Sequence, residues 1–371
     1  MADQEGRGGL CTPTRWRLIA SGVLLAACPL LVLLFERFGE ALSGGYRPFS
    51  KGLLSLQAIV ASVAPFALWD FLVVGFALAA LFTLVRRVVR RRPLLPWLSV
   101  VLLVSSATLF LFVSGWALNH YAPSLASEIG LEVGACTDDE LAAATRHYLE
   151  RAAALAPSVP RGEDGELLRQ DFYELARIAG GSYRELSESY GIFEGSQAPV
   201  KALLLLGEPL LLSGHVGIFF SPTGESSVPV NCAVADLPFT MCHEAAHRLA
   251  IAREQEANFA AFLACTTSDD VRFSYSGYYS AFSFCYGALR RSDPDRAARL
   301  LDEVRTSGLD AGVGLVLADL VATGRHYDAY EGWFGRIGSA VNDGYLRSFG
   351  EREGVKSYGL VVDYLIAWDR R

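Results

Sequence analysis

Apolar residues crowd the first 120 positions of this 371-residue chain and thin out beyond them. Three long runs stand out, Leu18–Phe35, Pro65–Val85 and Leu94–Leu118. At 1.5 Å per residue each is long enough to cross about 30 Å of hydrocarbon as a helix. The pattern therefore predicts a three-span helical membrane anchor over residues 1–120, with residues 36–64 as the loop between the first two spans.

Past residue 120 the period changes. Thr137, with Glu140 three positions later, opens a helical stretch through Leu155 with a capping-box signature. A second helical pattern covers roughly 166–190. Between His215 and Asn231, β-branched and aromatic residues flank Pro222-Thr223-Gly224, which predicts a short hairpin. Helical patterns resume afterwards, with expected breaks at Ser292–Pro294, Gly324 and Gly350–Gly354. Residues 121–371 thus read as a mainly helical α+β domain with one small β-hairpin or sheet.

Charge adds direction. Eleven of the 33 Lys and Arg, but only 5 of the 40 Asp and Glu, lie in residues 1–92, so the remainder carries a formal −13. An acidic domain of that size repels phosphate backbones, and nucleic acid is excluded as an expected partner. Arg7, Arg15 and Arg17 precede the first run, and five arginines fill Arg86–Arg92. The positive-inside rule then puts the N-terminus and that loop in the cytoplasm and the C-terminal domain outside. Leu25-Ala-Ala-Cys28 spells a lipoprotein cleavage box, but the apolar run continues through it and a plain span is expected. Asp70 is read either as a functional intramembrane carboxylate or as a snorkelling interfacial residue. None of the seven cysteines forms a CxxC pair, which removes a structural zinc knuckle; one or two disulfides are expected if the domain is exported.

The candidate chemistry lies in Pro238–Cys265. On a helix His243 and His247 project from one face, one turn apart, so both imidazoles can hold one zinc ion, with Glu244 beside them as general base. A third ligand is needed. Glu254 lies about 10.5 Å of helical rise beyond His247, too far on a continuous helix, so the chain must fold back near Ala250–Ala252 and start a new helix around Arg253. Register favours Glu254, because Asn258 falls on the same face and can orient a ligand histidine; Glu256 is the alternative third ligand.

His-Glu-x-x-His followed by Glu-x-x-Ala-Asn resembles the gluzincin metallopeptidases. More closely, the chain resembles an uncharacterised bacterial family of membrane-anchored zinc-peptidase-like proteins, catalogued as a domain of unknown function. The blocks that carry this are GIFFSPTGESSVPVN, LPFTMCHEAAH, REQEANFAAFLAC, SYSGYYSA, VNDGYLRSFG and GVKSYGLVVDYL. The resemblance covers nearly the whole chain. It implies a zincin-like fold in a bacterial cell membrane, with zinc on His243, His247 and Glu254 and with Glu244 catalytic. Where that family usually has glycine three residues after the second histidine, this chain has Ala250.

Tyr275, Tyr278 and Tyr358 are candidate oxyanion donors, each weighed against plain core packing, while His215 and His326 are read as structural. The expected activity is hydrolysis of peptide bonds by a membrane-tethered zinc enzyme, with peptide or protein substrates and membrane lipid as partners. The alternative is a non-catalytic or signalling metal-binding membrane protein on the same fold. A transporter is disfavoured, since the spans have arginine-free, nearly uncharged interiors and half the chain would go unexplained.

Overall fold

The computed structural model describes residues 12–332 and 360–371, with Gly335, Arg336, Gly338, Ala340 and Gly344 as isolated positions between them. The chain is mostly helical with one small sheet. Helix α1 (Thr12–Ala61) runs well past the expected first span and breaks at Phe38 (φ −130°, ψ 17°). Its second half replaces the predicted loop. Gly39, Ser43, Ser50, Leu54, Ala58 and Ala61 are buried there at helical spacing, so a face of mostly small residues meets the rest of the protein. Arg47 reaches Glu128 and the Pro123 carbonyl, each at 2.8 Å, and Gln57 donates to the Pro222 carbonyl at 3.1 Å.

Helices α2 (Leu68–Val89) and α3 (Leu95–Gly115) follow, and a buried 3-10 turn, Ala117–Tyr121, leads out of α3. With α1 these account for three of the four helices that, among the described residues, are apolar and long enough to cross a membrane, which is compatible with membrane association. The fourth, Pro294–Asp328, instead packs on the globular core, where Val313 and Val316 are fully buried.

Asp70 neither snorkels nor faces lipid. It is buried and accepts backbone N–H groups from Leu204, Leu205 and Leu206 at 2.8–3.0 Å. In the reverse direction, Glu225 accepts the Leu68 and Trp69 N–H groups at 2.8 and 3.1 Å, capping the start of α2. The two carboxylates bind α2 to the sheet.

Beyond the apolar helices, α4 (Leu125–Ile129) leads to α5 (Asp138–Leu155), whose Thr137–Glu140 capping box forms as predicted. Helices α6 (Phe172–Gly181) and α7 (Arg184–Ser189) fill the second helical stretch. The sheet comprises β1 (Lys201–Leu203), β2 (Ile218–Phe220) and β3 (Glu225–Pro229), with helix α8 (Gly207–Leu212) between β1 and β2. β2 and β3 form the expected antiparallel hairpin, and β1, not foreseen, pairs parallel to β3. Gly224 closes the hairpin with φ +67°; any Cβ there would meet the Leu54 carbonyl oxygen of α1 at 2.6 Å. On the β1 side the Ala67 N–H bonds the Ala202 carbonyl at 2.9 Å, covering that edge. Among the described residues, β2 forms the other edge and pairs only with β3.

Helices α9 (Leu237–Arg248), α10 (Glu254–Thr266), α11 (Val271–Ser292), α12 (Pro294–Val304) and α13 (Asp310–Asp328) complete the fold with a C-terminal helix, Val361–Asp369. The expected break at Ser292–Pro294 is present. Gly324 lies inside α13, and the break falls instead at Gly308 (φ +98°). The expected break at Gly350–Gly354 lies outside the described residues. Cys28, Cys136, Cys232, Cys242, Cys265 and Cys285 are all free thiols, so no expected disulfide forms among the described residues.

Candidate metal centre

Helix α9 sinks into the core on Leu237, Phe239, Met241, Cys242, Ala245 and Ala246, which leaves His243, Glu244 and His247 toward a cleft. The helix then stops in a Schellman turn. Ile251 N–H returns to the Ala246 carbonyl at 3.3 Å and Ala250 N–H to the His247 carbonyl at 3.0 Å, while Ala250 itself takes φ +63°. This reversal brings the first residue of α10, Glu254, back over the histidines.

The three donor groups converge. His243 Nε2 and His247 Nε2 are 3.1 Å apart, and Glu254 carboxylate oxygens lie 3.3 Å from the first and 3.7 Å from the second. Ligands held about 2.1 Å from a tetrahedral zinc would be about 3.4 Å from one another, so the spacing fits. The tautomers fit as well. His247 Nδ1 is 2.8 Å from the Ile251 carbonyl, which can only accept, and His243 Nδ1 is 2.9 Å from Asn258 Oδ1. Both Nδ1 atoms therefore carry hydrogen, and two Nε2 lone pairs face a common point, an arrangement that calls for a cation or a shared proton.

Electrostatics follow from burial. Desolvation lowers the His247 pKa to about 4, against the pull of Glu254. At His243 burial also disfavours the charge, but the Glu254 carboxylate outweighs it and the pKa ends above the ordinary value. Burial pushes the Glu244 carboxyl up to about 8; His243 opposes this and Glu254 adds to it. Glu244 Oε2 is buried without a hydrogen-bond partner.

The cleft is a largely apolar cavity of about 800 Å³. Its walls include Gly217, Ile218 and Phe219 from the β2 edge, and Phe112 and Trp116 from α3 and the turn beyond it. Gly217 presses against Glu244: an added Cβ would come within 2.8 Å of its Cγ and Cδ. Trp116 packs edge-on to the His247 ring at 5.6 Å.

Residues 46–366 match the model of a family described as a protein of unknown function (DUF3810). The chain belongs to that family. No curated protein and no solved structure matches it. The matched stretch takes in the second half of α1, α2, α3, the sheet and both site helices, so the DUF3810 unit includes two of the apolar helices entire together with the candidate site.

Other predicted site residues fall differently. Glu256 is turned away from the histidines, paired with Arg253 at 2.9 Å and accepting from the Tyr364 hydroxyl at 3.2 Å. Tyr275 cannot serve as an oxyanion donor, because its buried hydroxyl is bound to Asp319. Nor can Tyr278, whose ring lies under Arg151 with its hydroxyl 3.3 Å from that guanidinium, away from the cleft. Tyr358 lies outside the described residues. His215 lines the cleft, with Nδ1 2.9 Å from Ser213 Oγ, but is not one of the three converging groups. Sequence reasoning did not single out Trp116, or the contact of Gly217 with Glu244. Gly217 falls within the predicted hairpin, and glycine in a strand is a signal of close approach.

Proposed function

We propose that this protein is a membrane-anchored, zinc-dependent peptidase that hydrolyses peptide bonds outside the cytoplasm. The observation that carries the reading is the convergence of His243, His247 and Glu254, with donor atoms within 4.8 Å of one another, at the floor of an apolar cleft beside Glu244. A zinc ion held by His243, His247 and Glu254 would supply Lewis acidity, favouring attack on a substrate carbonyl and making a nearby water more acidic.

The chain's own residues do the rest. Asn258 and the Ile251 carbonyl fix the two rings with Nε2 toward the ion. Glu254 supplies negative charge and closes the ligand set. A dication nearby favours the ionised form of Glu244, offsetting the burial that holds its carboxyl near 8. Glu244 then accepts a proton from water and delivers it to the departing amine. The side of β2 away from β3 offers backbone N–H and C=O groups to an extended peptide, and the apolar wall receives its side chains. Arg7, Arg15 and Arg17 around the start of α1, and the five arginines of Arg86–Arg92 from the end of α2 onward, orient the anchor with its N-terminus in the cytoplasm.

The test uses the full-length chain in detergent. Elemental analysis should find about one zinc per chain, lost in His243→Ala/His247→Ala. Glu244→Gln should keep the zinc and slow casein cleavage by at least about 100-fold. A folded, zinc-reconstituted protein that holds no metal would overturn the reading.

A further inference from the structure

Helices α2 and α3 touch at one end and part at the other. At the arginine-loop end, Trp97 Nε1 donates to the Ala80 carbonyl at 3.0 Å. At the sheet end α2 is drawn away: Trp69 bonds Ser227 Oγ at 3.0 Å and stacks on Phe220 at 4.8 Å. Meanwhile α3 stays with α1, where Ser50 Oγ bonds the Gly115 carbonyl at 2.6 Å. Between them lies a groove of about 390 Å³ lined by Phe76, Thr108, Leu109 and Phe112, with Phe220 and Pro222 of the hairpin over it. Among the described residues, no ionisable side chain lines it.

This groove adjoins the cleft of the candidate metal centre. Phe112 is a wall of both. Val104, Thr108, Phe112 and Trp116 follow one another at four-residue spacing, one face of α3 that climbs about 18 Å from mid-helix to the His247 carbonyl. Strand β2 makes the same passage: Phe220 lies over the groove, whereas Ile218 and Phe219 line the cleft and the preceding Gly217 abuts Glu244. A chain paired along β2 would travel from groove to Glu244 over three residues, about 10 Å.

Resting on the peptidase reading above, we propose that the substrate is a membrane-embedded protein, cut close to where it leaves the bilayer. Its apolar membrane segment docks against Thr108, Leu109 and Phe112 between α2 and α3. Its first residues outside the bilayer extend along β2. The bond presented to the metal centre lies about three to five residues beyond the membrane segment, as the β2 distance dictates. An acyl chain would suit the groove but would make no use of the β2 edge, which favours a peptide.

The experiment uses zinc-loaded full-length protein in vesicles of phosphatidylethanolamine and phosphatidylglycerol. Two probes share one flexible casein-derived segment; one is fused to a Leu/Ala helix of about 21 residues that spans the bilayer, the other is free. The anchored probe should be cut at least about tenfold faster, at bonds within five residues of the helix, and Thr108→Trp, which fills the groove, should erase that preference. Equal rates on the two probes, or cuts scattered along the segment, would overturn the proposal. In parallel, a benzophenone placed at position 109 of the Glu244→Gln variant should cross-link to the probe's helix; cross-links to lipid alone would overturn it. Cross-linking to the helix without cleavage of either probe would uphold the docking and sink the peptidase reading instead.

Discussion

The indole nitrogen of Trp116 donates to the carbonyl oxygen of His247 across 2.9 Å. One hydrogen bond thus ties the end of an apolar helix to the backbone of a candidate metal ligand, 131 residues along the chain. The same carbonyl also takes the Ala250 N–H at 3.0 Å, so it is not orphaned when the indole is removed. Trp116→Phe should therefore destabilise the protein by only about 1–2 kcal/mol, the hydrogen bond plus some lost packing. Chemical denaturation in detergent measures this; an unchanged midpoint would show the bond to be idle.

Glu254 and Glu256 should separate cleanly. Glu254→Gln should weaken zinc binding by at least about 100-fold, whereas Glu256→Gln, which breaks the pairing with Arg253, should leave it within a few-fold. Asn258→Ala, which frees the His243 ring, should fall between them at about 10–100-fold. Competition with a chromophoric chelator reads all three. Equal losses for both glutamates would contradict the ligand set.

Gly217→Ala should act on Glu244 without touching the metal. The added methyl overlaps the glutamate side chain, so either Glu244 or the β2 edge must shift. The expected result is full zinc content with peptidase activity down by about 100-fold, the scale of a misplaced general base. Activity near wild type would mean that Glu244 moves freely.

Ala250→Gly should stabilise. An L-residue at φ +63° is strained by about 1–2 kcal/mol, and glycine offsets part of that gain through its greater unfolded-state freedom. A net gain of about 1 kcal/mol, seen as a higher thermal midpoint at unchanged zinc content, is expected.

Burial pushes the Asp236 carboxyl, just ahead of α9, up to about 6, with a Tyr327 hydrogen bond opposing the rise. A carboxyl whose pKa is raised by folding stabilises the protonated, low-pH state. That contribution is complete below about pH 3.8 and is lost as pH rises through about 6. Asp236→Asn, which cannot ionise, should therefore gain on wild type by up to about 2–3 kcal/mol between pH 4 and pH 7.5. Paired unfolding curves across that range check the sign; a difference independent of pH would refute it.

Features with local causes were legible in the sequence. The apolar runs, the capping box at Thr137, the hairpin and the reversal after His247 each follow from spacing within a few residues. The preference for Glu254 over Glu256 came from helical register in the same way. What escaped notice is carried by weak or distant signals. The buried face of α1 beyond Phe38 is built mostly of glycine, serine and alanine, so it shows no hydrophobic stripe. Asp70 and Glu225 satisfy backbone groups more than 130 residues away, and backbone partners leave no trace in side-chain pattern. Tyr275 and Tyr278 turn away from the cleft for the opposite reason: a motif neighbourhood says nothing of which way a ring faces.

The crossed carboxylates at the start of α2 also decide what can be cut away from this protein. Without residues 12–120, the N–H groups of Leu204, Leu205 and Leu206 would lose their acceptor, and Glu225 would face an empty seat where the first turn of α2 had been. At about 1 kcal/mol for each of these five hydrogen bonds, with the apolar surface of Leu203 uncovered as well, that loss is comparable to the stability of an ordinary domain. Expression trials that remove the apolar helices to obtain a soluble domain should yield aggregates, and crystallographers will have to take the protein with its helices on.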